Sequence, residues 1–248
     1  MAAIALDRTG PVAVLRLQQG KVNALDLGLL AELTAAVGDL AGAGAPPVVV
    51  TGEGRAFSAG VDLTAFLEGG PAYAEALVPA LSAAFEAVFT YPGPTVAAVN
   101  GAAIAGGCIL AAACDRRLLA AGARIGATEL AVGVAFPAAA LEVLRHACAG
   151  HLETVVLGAS LYEGEAAVAV GLADEVVDPV ALLARAEEAA SALGALAPEP
   201  YRLAKEQIRR PAVERMAADA GLLDLRVRAR WAAEETLAAV RAALGGAR

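Results

Sequence analysis

Apolar residues in this chain fall into two alternating patterns, short β-branched runs and longer stretches that repeat every three or four positions. Ile4 to Leu6 and Val12 to Leu17 read as strands, and Thr9-Gly10-Pro11 between them reads as a hairpin turn. Asn23-Ala24-Leu25-Asp26 leads into a helix with Leu29, Leu33, Val37 and Leu40 on one face. Gly42 and Gly44 end that helix, and Pro46-Pro47 opens a strand at Val48 to Thr51. The cycle then repeats. Tyr73 to Thr90 predicts a helix with Leu77, Leu81, Phe85 and Val88 on one side, followed by a strand at Thr95 to Val99 and a helix over Gly107 to Ala113. Asp115 to Ala120 and Arg124 to Gly126 read as further short strands. The unit is strand, strand, helix, and its repetition is architectural, with no repeat in the letters themselves.

From Pro137 onward the pattern turns mostly helical, over Ala138 to Ala147, His151 to Gly158, Glu163 to Val170 and Pro179 to Leu196. A last strand is expected at Asp174 to Val177. Pro198 to Arg248 predicts an all-helical end broken at Pro211, Gly221 and Gly245. The reading is therefore α/β: a core over 1–197 and a helical region over 198–248, packed on the core or on a neighbouring subunit. Leu222, Leu225, Trp231 and Leu237 supply its apolar stripes, too many for an exposed tail.

Composition changes this picture little. The 248 residues are 58% hydrophobic but only 4% aromatic, because alanine supplies much of the apolar count. A net charge of −8 argues against non-specific nucleic-acid binding. Only Lys21 and Lys205 are lysines. Cys108, Cys114 and Cys148 have no C-x-x-C spacing and read as reduced, buried thiols without a metal. Asp7 and Arg8 leave no secretory core near Met1, so a cytoplasmic protein is expected. Ala87 to Cys114 carries no charge and is long enough to span a bilayer, but Pro92, Pro94, Asn100 and several glycines break it. A buried strand, turn and helix is expected there, and no membrane partner.

Two glycine turns carry the chemistry. Gly54-Arg55-Ala56-Phe57-Ser58-Ala59-Gly60-Val61-Asp62-Leu63 follows Val48-Val49-Val50, and Asn100-Gly101-Ala102-Ala103-Ile104-Ala105-Gly106-Gly107-Cys108 follows Thr95 to Val99. A strand that ends in such a turn and opens a helix leaves backbone N–H groups without partners. Two turns of this kind can aim two donors at one oxygen, which is how an oxyanion hole is built. The pair resembles the crotonase (enoyl-CoA hydratase/isomerase) superfamily, whose loops read F-x-A-G-x-D-[LI] and N-G-x-x-x-G-G-[GC].

That resemblance implies a crotonase-type spiral of ββα units with C-terminal helices that build a homotrimer or a dimer of trimers. It implies an acyl-CoA thioester as substrate, no separate cofactor, and Val61 and Gly106 as the two N–H donors. Hydratases of the family carry one glutamate just after the G-G-[GC] turn and a second some twenty residues on, in a P-E-[IL]-x-x-G-type segment. Ile109 stands at the first position; Glu129, in Thr128-Glu129-Leu130-Ala131-Val132-Gly133, stands at the second. Δ3,Δ2-enoyl-CoA isomerases of the family keep the second acid and lose the first, and this chain looks like them. Moving a double bond needs proton removal at C2 and return at C4, which one carboxylate can do. A hydratase working with one acid, and a non-catalytic acyl-CoA-binding homologue, remain the rival readings.

The family's CoA-binding backbone maps onto Ala24, Ala59, Gly60, Asp62 and Leu63, with Asp62 also readable as a helix cap. Lys21 is a candidate for a CoA phosphate, and Arg55 a weaker one. The family's P-G-x-G-G-x-x-R segment is replaced here by Phe136-Pro137-Ala138-Ala139-Ala140-Leu141-Glu142-Val143-Leu144-Arg145, which predicts a differently shaped acyl pocket. Ser58 is not in G-x-S-x-G, and neither His146 nor His151 has a triad context. Nucleotide-binding glycine motifs are absent from the sequence.

Overall fold

The computed structural model describes residues 2–246. Ile4–Asp7 (β1) and Ala13–Leu17 (β2) pair antiparallel across the Thr9-Gly10-Pro11 turn, with Asp7 opposite Val14. Asp26 then caps Leu27–Gly42 (α1), its carboxylate accepting from Leu29 N, and Leu29, Leu33, Val37 and Leu40 form the buried face. Val48–Gly52 (β3) lies parallel to β2, and every one of its residues is buried. That explains its unbroken Val-Val-Val: a parallel strand covered on both faces has no polar side to alternate with.

Each later unit sends one strand to this sheet and the next to a second one. After β3, Ala56–Ser58 (β4) leaves for the second sheet, and Leu63–Phe89 (α2) follows. Thr95–Val99 (β5), Ala102–Ile104 (β6) and Gly106–Ala112 (α3) repeat the order. Arg116–Ala120 (β7), Arg124–Gly126 (β8) and Ala138–Cys148 (α4) repeat it again. Leu152–Gly158 (α5), Tyr162–Glu163 (β9), Gly164–Ala169 (α6), Glu175–Val177 (β10) and Leu182–Gly194 (α7) complete the core. The large sheet runs β1-β2-β3-β5-β7-β10 and the small one β4-β6-β8-β9. Asn100 stitches neighbouring units together: its Oδ1 accepts from Gly52 N (3.0 Å) and its Nδ2 donates to Gly54 O (3.0 Å).

Three helices follow: Pro198–Ala220 (α8), Leu223–Trp231 (α9) and Glu234–Gly246 (α10). They pack on α4 and α2 of their own chain. Asp115, just before β7, anchors α8 by accepting from Lys205 Nζ (2.8 Å), an Arg209 guanidinium nitrogen (2.7 Å) and the Tyr201 hydroxyl (3.0 Å). Burial alone would raise its pKa, but the two cations hold it below the usual carboxylate value.

The structure departs from the sequence reading in several places. Ala56–Ser58 and Ala102–Ile104, read as loop, are strands of the small sheet, too short to show a period. The helix expected from Tyr73 is preceded by a short helical segment from Leu63 that the sequence reading left out; the two meet at Gly70, whose φ of 59° and ψ of −152° are not helical. Gly245 lies within α10, and Pro211 does not break α8. Its cost of about 3 kcal/mol is outweighed by the anchoring of Lys205 and Arg209 and by the burial of Ala212 and Met216 on the same helix.

Candidate active site

The two glycine turns meet. Gly60 has a φ of 83°, which favours glycine, and a Cβ there would stand 2.8 Å from Ile104 O and 3.3 Å from Gly106 N. A Cβ on Gly107 would lie 2.2 Å from Ser58 O. The backbones of the loops thus touch directly, and any side chain at these points would pry them apart.

Hydrogen bonds then aim the donors. Leu25 N–H donates to Gly60 O (2.8 Å), and Asp62 N–H donates to Leu25 O (3.0 Å). This isolated parallel bridge uses the peptide groups on either side of Val61. Val61's own N–H therefore lies on the opposite edge, where the residue lines a cavity. Gly106 is the first residue of α3, so its N–H has no acceptor within the helix. Ala105 before it holds a φ of 52° and a ψ of −122°, a strained conformation for a residue with a Cβ. Strain of this sort marks a backbone held in place by its surroundings.

Below the turns lies a mostly apolar cavity with about 670 Å³ of empty space including its mouth. Ala59, Val61, Leu63, Gly106, Ile109 and Glu129 all line it. Glu129 opens the single-turn 3₁₀ segment Glu129–Val132, and its side chain is buried. Its Oε2 is buried without a hydrogen-bond partner. Burial raises its pKa to about 8, against a smaller lowering by its own backbone N–H. Ile109, 2% exposed, adds hydrocarbon to the same wall. Among the lining residues Glu129 is the one ionisable group. A carboxyl with one unpartnered oxygen on the wall of a mostly apolar cavity, its pKa raised by burial, is poised to exchange a proton near neutral pH.

The other expected residues sit outside this lining. Gly60 lies behind it at the contact of the turns, and Ala24 is half-buried next to the Leu25 bridge. Asp62 caps α2, accepting from Thr64 N (3.0 Å) and Ala65 N (2.9 Å). Lys21 and Arg55 are exposed. His146 rests edge-on against Phe89, away from the cavity. All three cysteines are buried and unpaired.

Several residues that build the site escape sequence reasoning. Ser58 Oγ donates to Asn23 O (2.7 Å) and accepts from Gly60 N (3.2 Å), which fixes the first turn from inside. Asn23, buried with a φ of 51°, donates to Glu53 O (3.1 Å) and Ala56 O (2.9 Å). The available signal was a small polar residue with apolar neighbours on both sides, Asn23 between Val22 and Ala24 and Ser58 between Phe57 and Ala59. Trp231 of α9 also lines the cavity, although it lies more than a hundred positions from Glu129 in the sequence.

Known proteins share this chain's sequence pattern and fold. Residues 7–236 match the sequence profile of the family described as enoyl-CoA hydratase/isomerase. A Thermus thermophilus protein that carries a provisional enoyl-CoA hydratase name is 40% identical over 207 residues, covering 79% of this chain and 80% of that one. Mycobacterium tuberculosis EchA3 has been solved once as an enoyl-CoA isomerase and once, provisionally, as an enoyl-CoA hydratase. Those structures are 31% and 32% identical, with TM-scores of 0.78 and 0.82; they cover 88% and 91% of this chain and 95% and 97% of their own. Human mitochondrial Δ3,Δ2-enoyl-CoA isomerase, at 24% identity, shares the fold with a TM-score of 0.91, covering 98% of this chain and 97% of that one.

Proposed function

The chain belongs to the enoyl-CoA hydratase/isomerase family, and from that premise we propose that it is a Δ3,Δ2-enoyl-CoA isomerase with Glu129 as its single base. The observation that carries the choice is Ile109, a hydrocarbon where a second carboxylate would be needed to share the work of hydration. In this reading the thioester oxygen lies between the N–H groups of Val61 and Gly106. Glu129 takes a proton from C2, the electron pair moves into a dienolate whose charge rests on that oxygen, and the same carboxyl returns a proton to C4. The C2–H bond breaks, the C4–H bond forms, the double bond moves from C3 to C2, and nothing is oxidised or reduced.

The raised pKa of Glu129 supports this role, since a base near pKa 8 binds the C2 proton more strongly than an ordinary carboxylate. The dipole of α3 adds to the pull of Gly106 N–H on a negative oxygen. The hydratase reading draws on the names of relatives such as the Thermus protein. One assay separates the two: purified protein offered 3-enoyl-CoA and, separately, 2-enoyl-CoA. Isomerisation at least tenfold faster than hydration is the expected result, and the reverse order would overturn the assignment.

A further inference from the structure

Apart from Thr128, Glu129 and the two backbone turns, the cavity wall is hydrocarbon and aromatic. Leu81 and Phe85 come from α2, Val132, Val134 and Pro137 from the segment after Glu129, and Trp231 from α9. Trp231 is the largest of these and, among the described residues, the sole contribution of the C-terminal helices. It is also locked. Its side chain is buried, its Nε1 donates to Ala135 O (2.7 Å), and its ring meets Phe66 edge-to-face with centroids 5.6 Å apart. Swinging the indole aside would break that hydrogen bond and open a hole beside Phe66.

The wall it leans on is held from the same side. Asp224 of α9 accepts from Ala138 N (2.8 Å), and Thr236 Oγ1 of α10 reaches Gly133 O (3.5 Å). The stretch from Gly133 to Ala138 is therefore tied to α9 and α10 at three points. Such a wall cannot yield to a longer ligand without loosening those contacts.

We infer that Trp231 is a specificity-determining residue: it limits the length of the acyl tail this cavity accepts, and the substrate class is enoyl thioesters with a short, purely hydrocarbon tail. The inference rests on the acyl-CoA reading proposed above. The one polar atom of Trp231 is already committed to Ala135 O, so a charged group at the tail's far end finds no partner on the indole.

The test is kcat/KM for a series of 3-enoyl-CoA esters from six to twelve carbons, with a matched ester ending in a carboxylate. Wild type should prefer the shortest esters and disfavour the carboxylate ester by a hundredfold or more. Trp231→Ala should raise the twelve-to-six-carbon ratio about tenfold or more, since each added methylene now finds space. Trp231→Leu, which refills part of the hole beside Phe66, should raise that ratio by less. If Trp231→Ala fails to fold, Trp231→Leu decides alone. A folded Trp231→Ala or Trp231→Leu with an unchanged ratio would overturn the role of Trp231, and efficient turnover of the carboxylate ester would overturn the substrate class. Failure of every ester to bind by calorimetry, in wild type and variants alike, would instead overturn the acyl-CoA reading itself.

Discussion

Ile109 and Glu129 line one cavity, the hydrocarbon of the first sharing a wall with the buried, partly unpaired carboxyl of the second. With the carboxyl's pKa near 8, kcat/KM should climb with pH, about tenfold per unit below pH 7, and level off above about 8. Glu129→Gln should abolish isomerisation while CoA-ester affinity, followed by calorimetry, changes little.

The same group should mark stability in the opposite sense. Between the ordinary glutamate pKa and about 8, the folded protein holds a proton at Glu129 that the unfolded chain has released. This contribution is complete at low pH and is lost as pH rises through the folded pKa. Thermal melts from pH 5 to 9 should show Glu129→Gln gaining on wild type as pH increases. A constant difference would mean that Glu129 is not buried as a neutral acid.

Gly106→Pro removes one proposed oxyanion donor at the first position of a helix, where proline's backbone is tolerated. The new Cβ would meet Leu25 Cδ1 at 2.9 Å, a flexible side-chain end. Turnover should fall by roughly a hundredfold or more, with circular dichroism showing a folded protein. Full turnover in a folded variant would remove Gly106 from the oxyanion site.

How much of this was legible beforehand follows from the range over which each cue acts. The Asp26 cap, the apolar face of α1 and the Val-rich β3 are local, and each was readable from a few neighbouring letters. The two turns were readable as well, because glycine is demanded where backbones touch. Hidden were the strands β4 and β6, which draw their pairing from distant residues, and the continuity of α8 through Pro211, which rests on Asp115. Trp231 was expected in an apolar stripe, but nothing near it in sequence points to Glu129. Of that stripe, Trp231 and Leu237 are buried in their own chain, whereas Leu222 and Leu225 stay exposed.

Those two leucines lead to an expectation about assembly. A homotrimer or a dimer of trimers would give them a surface to cover. Light scattering at micromolar concentration should report three or six copies, and a monomer would rule the assembly out.

Asp115 provides a stability test remote from the chemistry. Asp115→Asn keeps the shape but leaves Lys205 and Arg209 buried without their counter-charge. Breaking a buried pair in this way costs about 3–5 kcal/mol, to be measured by urea unfolding at pH 7. Because the Asp115 pKa lies below its ordinary value, the stabilisation is present above about pH 4 and lost as pH falls through the folded pKa. Wild type and variant should therefore converge in acid.

The exchange at position 109 puts the proposed chemistry at most risk. Ile109→Glu places a second carboxylate on the wall that Glu129 shares. If the missing acid is what disfavours hydration, this variant should add water to 2-enoyl-CoA faster than wild type does, and its isomerisation should slow as two nearby carboxyls compete for one proton. A new charge at a site 2% exposed carries a folding cost, so the comparison belongs at a pH where the variant is shown to be folded. Ile109→Gln, polar but never ionised, separates charge from size: it should leave hydration as slow as in wild type. Equal gains from Gln and Glu would mean that room for water, rather than a second base, controls the reaction at this site.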